Sequence, residues 1–310
     1  MTTAPFPTQP HLTAVAVMYT NDELIADAVS PRLPVTRQEF KYLKHAMAEG
    51  FTIPDTHVGR RGVPAEVEFS ATEVVGTTQN YALDDPIPQD DIDNAPPNYQ
   101  PVDRAVQGVT DLILLDREKR VADQLFALAT YAASQRATLS GTSQWSDTTN
   151  SNPRGAIATA LDIPVMRPNV MVVGQAVWTI LRQHPTIVSA ILGNAGTAGM
   201  VSRQQVADLF ELEEVVVGRG FLNTARRGQP ATMQRVWGKH AALIRRDRNA
   251  TAAGNRPTFA WTAEWRTRMA GAMPDPKIGA FGGQRVRVAE SVAEVISAPD
   301  LGYFFQNAVA

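Results

Sequence analysis

The sequence predicts a mixed α+β protein with extended appendages, on three observations. A strand-to-helix junction lies at 166–191, the longest helical pattern at 99–135, and a turn-rich, strand-prone stretch at 51–98 carries few residues with which to fill a core of its own. The junction reads MRPNVMVVGQAVWTILRQHPTIVSAI. Arg167-Pro168-Asn169 breaks the chain, 170–173 is a short continuous apolar run suited to a strand covered on both faces, and Gly174 ends it. From Gln175 the period becomes helical. Val177, Ile180 and Leu181 fall at i, i+3 and i+4, and Pro185 stops that helix and opens another with Ile187, Ala190 and Ile191 on its apolar face.

A strand-to-helix turn of this kind is where a nucleotide-binding fold places its phosphate loop. Gly174-Gln175-Ala176-Val177 has one glycine, whereas a dinucleotide fingerprint needs three and a P-loop needs Gly-Lys-Ser/Thr at the helix start. The turn therefore reads as packing, and an α/β enzyme binding a small molecule there is the disfavoured alternative. Other chemistry is equally thin. His11, His45, His57, His184 and His240 have no partner at ligand spacing, no G-x-S-x-G elbow occurs, and Asp84-Asp85 with Asp90-Asp91-Ile92-Asp93 does not match a calcium loop. No catalytic residue, metal or cofactor is expected.

At 310 residues the chain can bury a sizeable core, and 44% apolar content is ordinary for a globular protein. A formal charge of −2 is not that of a protein that coats nucleic acid. No cysteine means no disulfide and no thiolate nucleophile. No apolar run approaches the roughly 18 residues of a membrane span, and the proline-rich start, MTTAPFPTQPH, lacks the basic-then-apolar order of a secretory signal. It reads as an extended arm. Arginine outnumbers lysine 24 to 5, which leans toward fixed, multi-donor contacts with carboxylates.

Before the junction, Pro31 and Pro34 keep ADAVSPRLPV (26–35) extended. Two stretches, 63–75 and 77–83, are β-branched and aromatic and predict an extended hairpin between them. In the helical stretch Val106, Val109 and Ile113 make one stripe and Val121, Leu125, Leu128 and Ala132 a second, about a quarter turn out of phase with Arg117 at the seam. Either a bend near Asp116 or two helices is expected. After the junction come a glycine-rich loop at 193–199, a helix capped by Ser202 with Val206, Leu209 and Phe210 inward, and strands at 214–217, 235–244, 258–265, 284–289, 293–297 and 302–309.

Charge is distributed unevenly. Residues 55–93 hold nine Asp/Glu against two Arg, net −7, and 219–248 hold eight Lys/Arg against one Asp, net +7. In a monomer both are solvated faces. In an assembly an acidic arm of one subunit can lie across a basic surface of the next. The interface candidates are Arg60, Arg61, Glu66, Glu68 and Glu73 on the hairpin, and Arg226 and Arg227 in the basic segment.

Taken in order, several motifs resemble the major capsid proteins of tailed bacteriophages, the Hong Kong phage fold shared with encapsulins. IADAVSPRLPV (25–35) resembles the family's N-terminal arm, YALDDPI (81–87) the end of its E-loop, DREKRVA (116–122) its spine helix, and QWSDTTNSNP (144–153) the loop that follows. Residues 167–191 resemble the first strand and helices of its axial domain, and Val236-Trp237-Gly238 a later strand there. The resemblance implies an N-terminal arm at 1–50, an E-loop with flanking strands at 51–98, and a spine helix and loop of the peripheral domain at 99–152. An axial α/β domain at 153–255 and C-terminal strands of the peripheral domain at 256–310 complete it.

It further implies a non-catalytic subunit that assembles as pentamers and hexamers into an icosahedral shell around the double-stranded DNA of a tailed phage. Encapsulin-like compartments are the alternative within the same fold. Expected partners are further copies of the chain, a separate scaffolding protein because the arm reaches capsid-like sequence by about residue 25, a portal, a decoration protein, and packaged DNA touched without sequence preference. No membrane is involved. The location is the virion capsid, after assembly in the host cytoplasm. Some family members weld subunits through a Lys–Asn bond from the E-loop. No lysine lies between Lys44 and Lys119 here, so that chemistry is not expected.

Overall fold

The structure, a computed structural model, describes residues 6–45, 53–64, 66, 71–193, 199–226, 228–250 and 257–310. Two sheets share one long helix. The first sheet has the order β1-β11-β12-β4: β1 (Arg32–Pro34), β11 (Ala260–Asp275), β12 (Gly283–Ile296) and β4 (Gln79–Pro88). The second has the order β5-β13-β10-β6-β7: β5 (Arg136–Thr138), β13 (Gly302–Gln306), β10 (Ala241–Ile244), β6 (Val170–Gly174) and β7 (Glu214–Gly218). The last strand of the chain thus returns to the sheet of the strand-to-helix junction.

Strand β6 is buried along its whole length, as its continuous apolar run requires. Alternation divides its residues between two cores. Met171 and Val173, with Val215, Val217, Leu243 and Phe305, pack among helices α5 (Pro153–Asp162), α6 (Gln175–Leu181), α7 (Pro185–Leu192) and α8 (Arg203–Phe210). Val170 and Val172, with Val216, Ala242, Ile244 and Phe304, face Val121 and Leu125 of the long helix and Ile25 and Val29 of the arm. Ser202 caps α8 in a reciprocal capping box with Gln205, as its sequence suggests. Gly174 serves packing: a Cβ there would lie 2.3 Å from the Gly238 carbonyl oxygen and 2.7 Å from that of Trp237. The chain's own backbone fills the turn where a phosphate would sit.

The long helix, α4 (Pro101–Leu125), is single and continuous. Its buried face runs Val106, Val109, Ile113, Arg117, Val121, Leu125, with Thr110, Leu114, Glu118 and Ala122 beside them. The two sequence stripes are therefore one stripe, interrupted where Arg117 and Glu118 occupy core positions. The turn at 128–130 that follows is 3-10, outside the helix. Its N-terminal half and α1 (Pro10–Met18) cover β11 and β12 through Val106, Val109, Ile113, Leu12 and Ala16. Strand β12 is also continuous where the sequence suggests two pieces: Glu290 and Ser291 are buried in mid-strand, Glu290 Oε2 accepting from Arg32 and Arg268 and Ser291 sharing a hydrogen bond with Thr78.

The hairpin differs from its sequence reading. Strand β3 (Ala71–Thr77) pairs antiparallel with β2 (Glu39–His45), while β4 joins β12. The described parts of the two predicted stretches, 71–77 and 79–83, therefore lie on successive strands that do not pair with each other. Phe40 sits opposite Gly76 and lays its ring where a Cβ would be, 2.6 Å from Cζ. With Tyr42 it packs on Trp261, at ring separations of 5.7 and 6.0 Å, and this cluster roots the hairpin on the body. One strand of the hairpin thus carries Lys41 and Lys44, so the stretch without lysine covers only its remainder.

Candidate assembly interface

Two regions stand out by how they hold charge. The first is the crossing of the arm over the long helix. Glu118 is fully buried, and its carboxylate accepts from the backbone N–H of Ile25 at 2.9 and 3.0 Å, from that of Ala26 at 2.6 Å, and from Trp237 Nε1 at 2.5 Å. Burial raises its pKa, with these donors and Arg117 opposing the rise. Arg117, also fully buried, donates to Asp27 at 2.6 Å, to the Ser30 carbonyl at 2.9 Å and to Thr262 Oγ1 at 3.0 Å. Burial works against the Asp27 carboxylate, but Arg117 and Arg32 outweigh it and hold its pKa below the usual range.

Arg32 then reaches Glu264 at 3.1 Å and Glu290 at 3.0 Å, and Arg268 joins Glu290 to the Ala16 carbonyl. Arg246, buried just after β10, donates to the Ala28 carbonyl and to Glu214 at 2.8 Å. The segment 25–32 is held to both sheets and the helix α4 by these contacts. Next to them Arg120 pairs with Glu294 at 2.9 Å and lies over the Tyr81 ring, tying the start of β4 to the same helix.

The second region is the outer hairpin, which is built the other way. Every residue from 53 to 64 is exposed. Arg60 and Arg61 occupy a turn closed by the Gly62 N–H on the Gly59 carbonyl at 2.8 Å, and among the described residues neither has an ion-pair partner. Ile53 and Val63 are 89% and 86% exposed. Glu66 is exposed, and Glu73 pairs across the ladder with Lys41 at 2.6 Å, both about half exposed. Arg226 is exposed beyond β8 (Phe221–Asn223), which pairs with β9 (Met233–Arg235). Glu68 and Arg227 lie outside the described residues. Within one chain, no ion pair among the described residues joins the hairpin acids to Arg226. Sequence reasoning placed Arg117 at a seam but missed its partners, which lie 87 to 145 residues away.

Among the described residues no group of acids, histidines or cysteines could hold a metal, and no helix is long and apolar enough to cross a membrane.

Comparison with known proteins is concordant, although no family model matches the chain. It is 52% identical over 310 residues, the whole of both chains, to the major capsid protein of Pseudomonas phage JBD67. It is 30% identical over 218 residues to that of Burkholderia phage BcepMu, covering 67% of this chain and 68% of the other. Among solved structures it superposes on a phage-related protein of Bordetella bronchiseptica with a TM-score of 0.76 at 21% identity, covering 98% and 99% of the two chains. The putative prophage capsid protein of E. coli CFT073 gives 0.59 at 11% identity over 98% and 99%. The SrpI encapsulin of Synechococcus elongatus gives 0.54 at 10% over 99% and 92%.

Proposed function

Because the chain belongs to the major capsid proteins of phages and has the fold those proteins share with encapsulins, we propose that it forms the icosahedral shell of a tailed phage, assembling as pentamers and hexamers around double-stranded DNA. The observation that carries the assembly is the unpartnered hairpin. Ordering a residue costs roughly 1–2 kcal/mol of backbone entropy, and twelve consecutive exposed residues, 53–64, gain little from their own chain in return. Neighbouring copies supply the burial.

In this reading the subunit acts structurally and performs no catalysis. Residues 1–50 form the arm, whose end supplies β2 as the hairpin's first strand, 51–98 the rest of the E-loop and its flanks, 99–152 and 256–310 the peripheral domain, and 153–255 the axial domain, with β5 and the last strand inserted into the axial sheet. Arg60, Arg61, Glu66, Glu68, Glu73, Arg226 and Arg227 face other subunits. A separate scaffolding protein, a portal and a decoration protein complete the particle, the DNA is contacted without sequence preference, and the subunit waits in the host cytoplasm before assembly.

Electron microscopy of the full-length chain, expressed alone and with the phage's neighbouring structural genes, tests this. Closed shells containing DNA in infected cells are expected. A subunit that stays monomeric under both conditions contradicts the shell, and particles filled with cargo protein in place of DNA favour a compartment.

A further inference from the structure

The arm and the ribbon made by β8 and β9 carry opposite charge on adjoining surfaces. No lysine or arginine occurs before Arg32, and the elbow between α1 and the short helix α2 (Ala26–Val29) holds Asp22 and Glu23, both exposed. Val17 and Met18, at the end of α1, are 54% and 80% exposed. In contrast, no Asp or Glu occurs between Glu214 and Asp247, and the ribbon and its root hold Arg219, Arg226 and Arg235. Register sets Phe221 opposite Arg235 and Asn223 opposite Met233, so Phe221 and Met233 share one face of the ribbon, 42% and 58% exposed. The Arg235 guanidinium lies 4.3 Å from the centroid of the Phe221 ring on that face.

The two surfaces adjoin without pairing. Leu24 packs on Gly220 at the root of the ribbon, where a Cβ would lie 3.2 Å from Leu24 Cδ2. Val17, Asp22 and Arg219 line one cleft of about 860 Å³. Yet among the described residues the side chains of Asp22, Glu23, Arg219 and Arg226 have no hydrogen-bond or ion-pair partner. The other acidic stretch, the short helix α3 (Gln89–Asp93), lies near Arg104 at the start of α4, whereas Gly220 lies beside Glu118. From Arg104 to Glu118 the helix rises about 20 Å, so the elbow and not α3 is the acidic neighbour of the ribbon.

Resting on the shell reading above, we propose that elbow and ribbon form a two-fold contact between copies of the chain, the elbow of each copy lying on the ribbon of the other. An acidic and a basic patch side by side, unpaired within the chain, make a surface that complements itself after a half-turn, and an isologous contact requires just that. Each half of the contact sets Asp22 and Glu23 against Arg219, Arg226 and Arg235, and Val17 and Met18 against Phe221 and Met233. Arginine, methionine and aromatic side chains are the types that subunit interfaces favour, and the exposed face of the ribbon is made of them. Such a contact joins copies in pairs. It cannot close a ring by itself, so it ties a copy in one ring to a copy in the next.

The absence of cysteine from the chain makes a clean test. Full-length chain carrying Glu23→Cys together with Arg226→Cys is assembled, treated with a short bis-maleimide and run on a denaturing gel. A covalent dimer with nothing larger is expected. A ladder of multimers reports a head-to-tail contact, a monomer reports none between copies, and either overturns the proposal. In parallel, Asp22→Arg/Glu23→Arg and Arg219→Glu/Arg226→Glu should each lower the yield of shells about tenfold or more, while the free subunit melts as wild type does. Mixing the two reversed chains should restore most of the yield, because in a mixed pair each elbow meets a ribbon of opposite sign. A mixture no better than its components, the result if elbow and ribbon pair within one chain or if the ribbon faces DNA, also overturns it. Wild-type chain run alongside separates the two readings. Its failure to form shells refutes the subunit assignment, whereas shells from wild type and from both reversed chains alike refute the two-fold contact alone.

Discussion

The arm crossing and the outer hairpin both rely on charged residues, and they use them in opposite ways. At the crossing Arg117 and Glu118 are fully buried, and their partners come from the arm, β11 and the segment before β10. At the hairpin turn Arg60 and Arg61 are exposed, and the valines beside them are exposed too. Charge satisfied inside the chain fixes the shape of one subunit, because removing one partner leaves the other buried and unpaired. Charge left outside contributes little to a subunit, as exposed pairs are worth about 0–1 kcal/mol, and gains value only when another copy desolvates it. The same chain thus separates what folds it from what assembles it.

The largest effect should come from Glu118→Ala, which orphans the N–H groups of Ile25 and Ala26 and the Trp237 indole. At roughly 1–3 kcal/mol for each buried unsatisfied donor, a loss of at least 3 kcal/mol is expected in denaturant unfolding of the unassembled subunit. Wild-type stability in this variant breaks the comparison at its stronger side. Gly174→Ala should cost about 2–3 kcal/mol, since its Cβ meets two backbone carbonyls that cannot turn aside. A variant that melts within a degree of wild type shows that the Trp237-Gly238 turn yields.

His184 sharpens the inner side by pH. It is buried, bonded to Ser151 Oγ at 3.1 Å and Thr186 Oγ1 at 2.9 Å, and burial lowers its pKa below 6.5. The unfolded chain therefore binds its proton first. The stability His184 contributes is present above pH 6.5 and is lost as pH falls from there toward its folded pKa. Subunit melting followed from pH 8 to 5 should fall in this window and fall less steeply in His184→Gln, where His240, its pKa also lowered by burial, still contributes. Equal slopes for the two proteins would remove His184 from the account. The smallest effect on the subunit is expected from Arg60→Glu/Arg61→Glu, within about 0.5 kcal/mol of wild type, while its yield of shells drops. A fall in subunit stability with assembly intact would place the turn in the monomer's own core.

Much of the inner framework was legible in the sequence for physical reasons. The run 170–173, the change of period at Gln175 and the Ser202 cap are local signals, and local signals survive folding. The long helix was legible in place but not in continuity, because an apolar-stripe search discards Arg117 and Glu118, and those two carry the stripe across its middle. Pairing of β2 with β3 joins residues 32 positions apart at the Lys41–Glu73 pair, with no turn motif to announce it. The interface candidates were legible only as sums of charge. Which acids stand on the hairpin and which stand on the body depends on where β4 lies, and no window of sequence reports that.

Hydrogen exchange of the free subunit against the assembled particle tests most directly the division between folding and assembling surfaces. The amides of β6 and β10, central in the five-stranded sheet, should be strongly protected in both forms. Those of β2 and β3, a two-stranded ladder on its own, should exchange quickly in the subunit and become protected on assembly. Equal protection of β2 and β3 before and after assembly would contradict the account, because it would mean that the hairpin is already complete within a single chain.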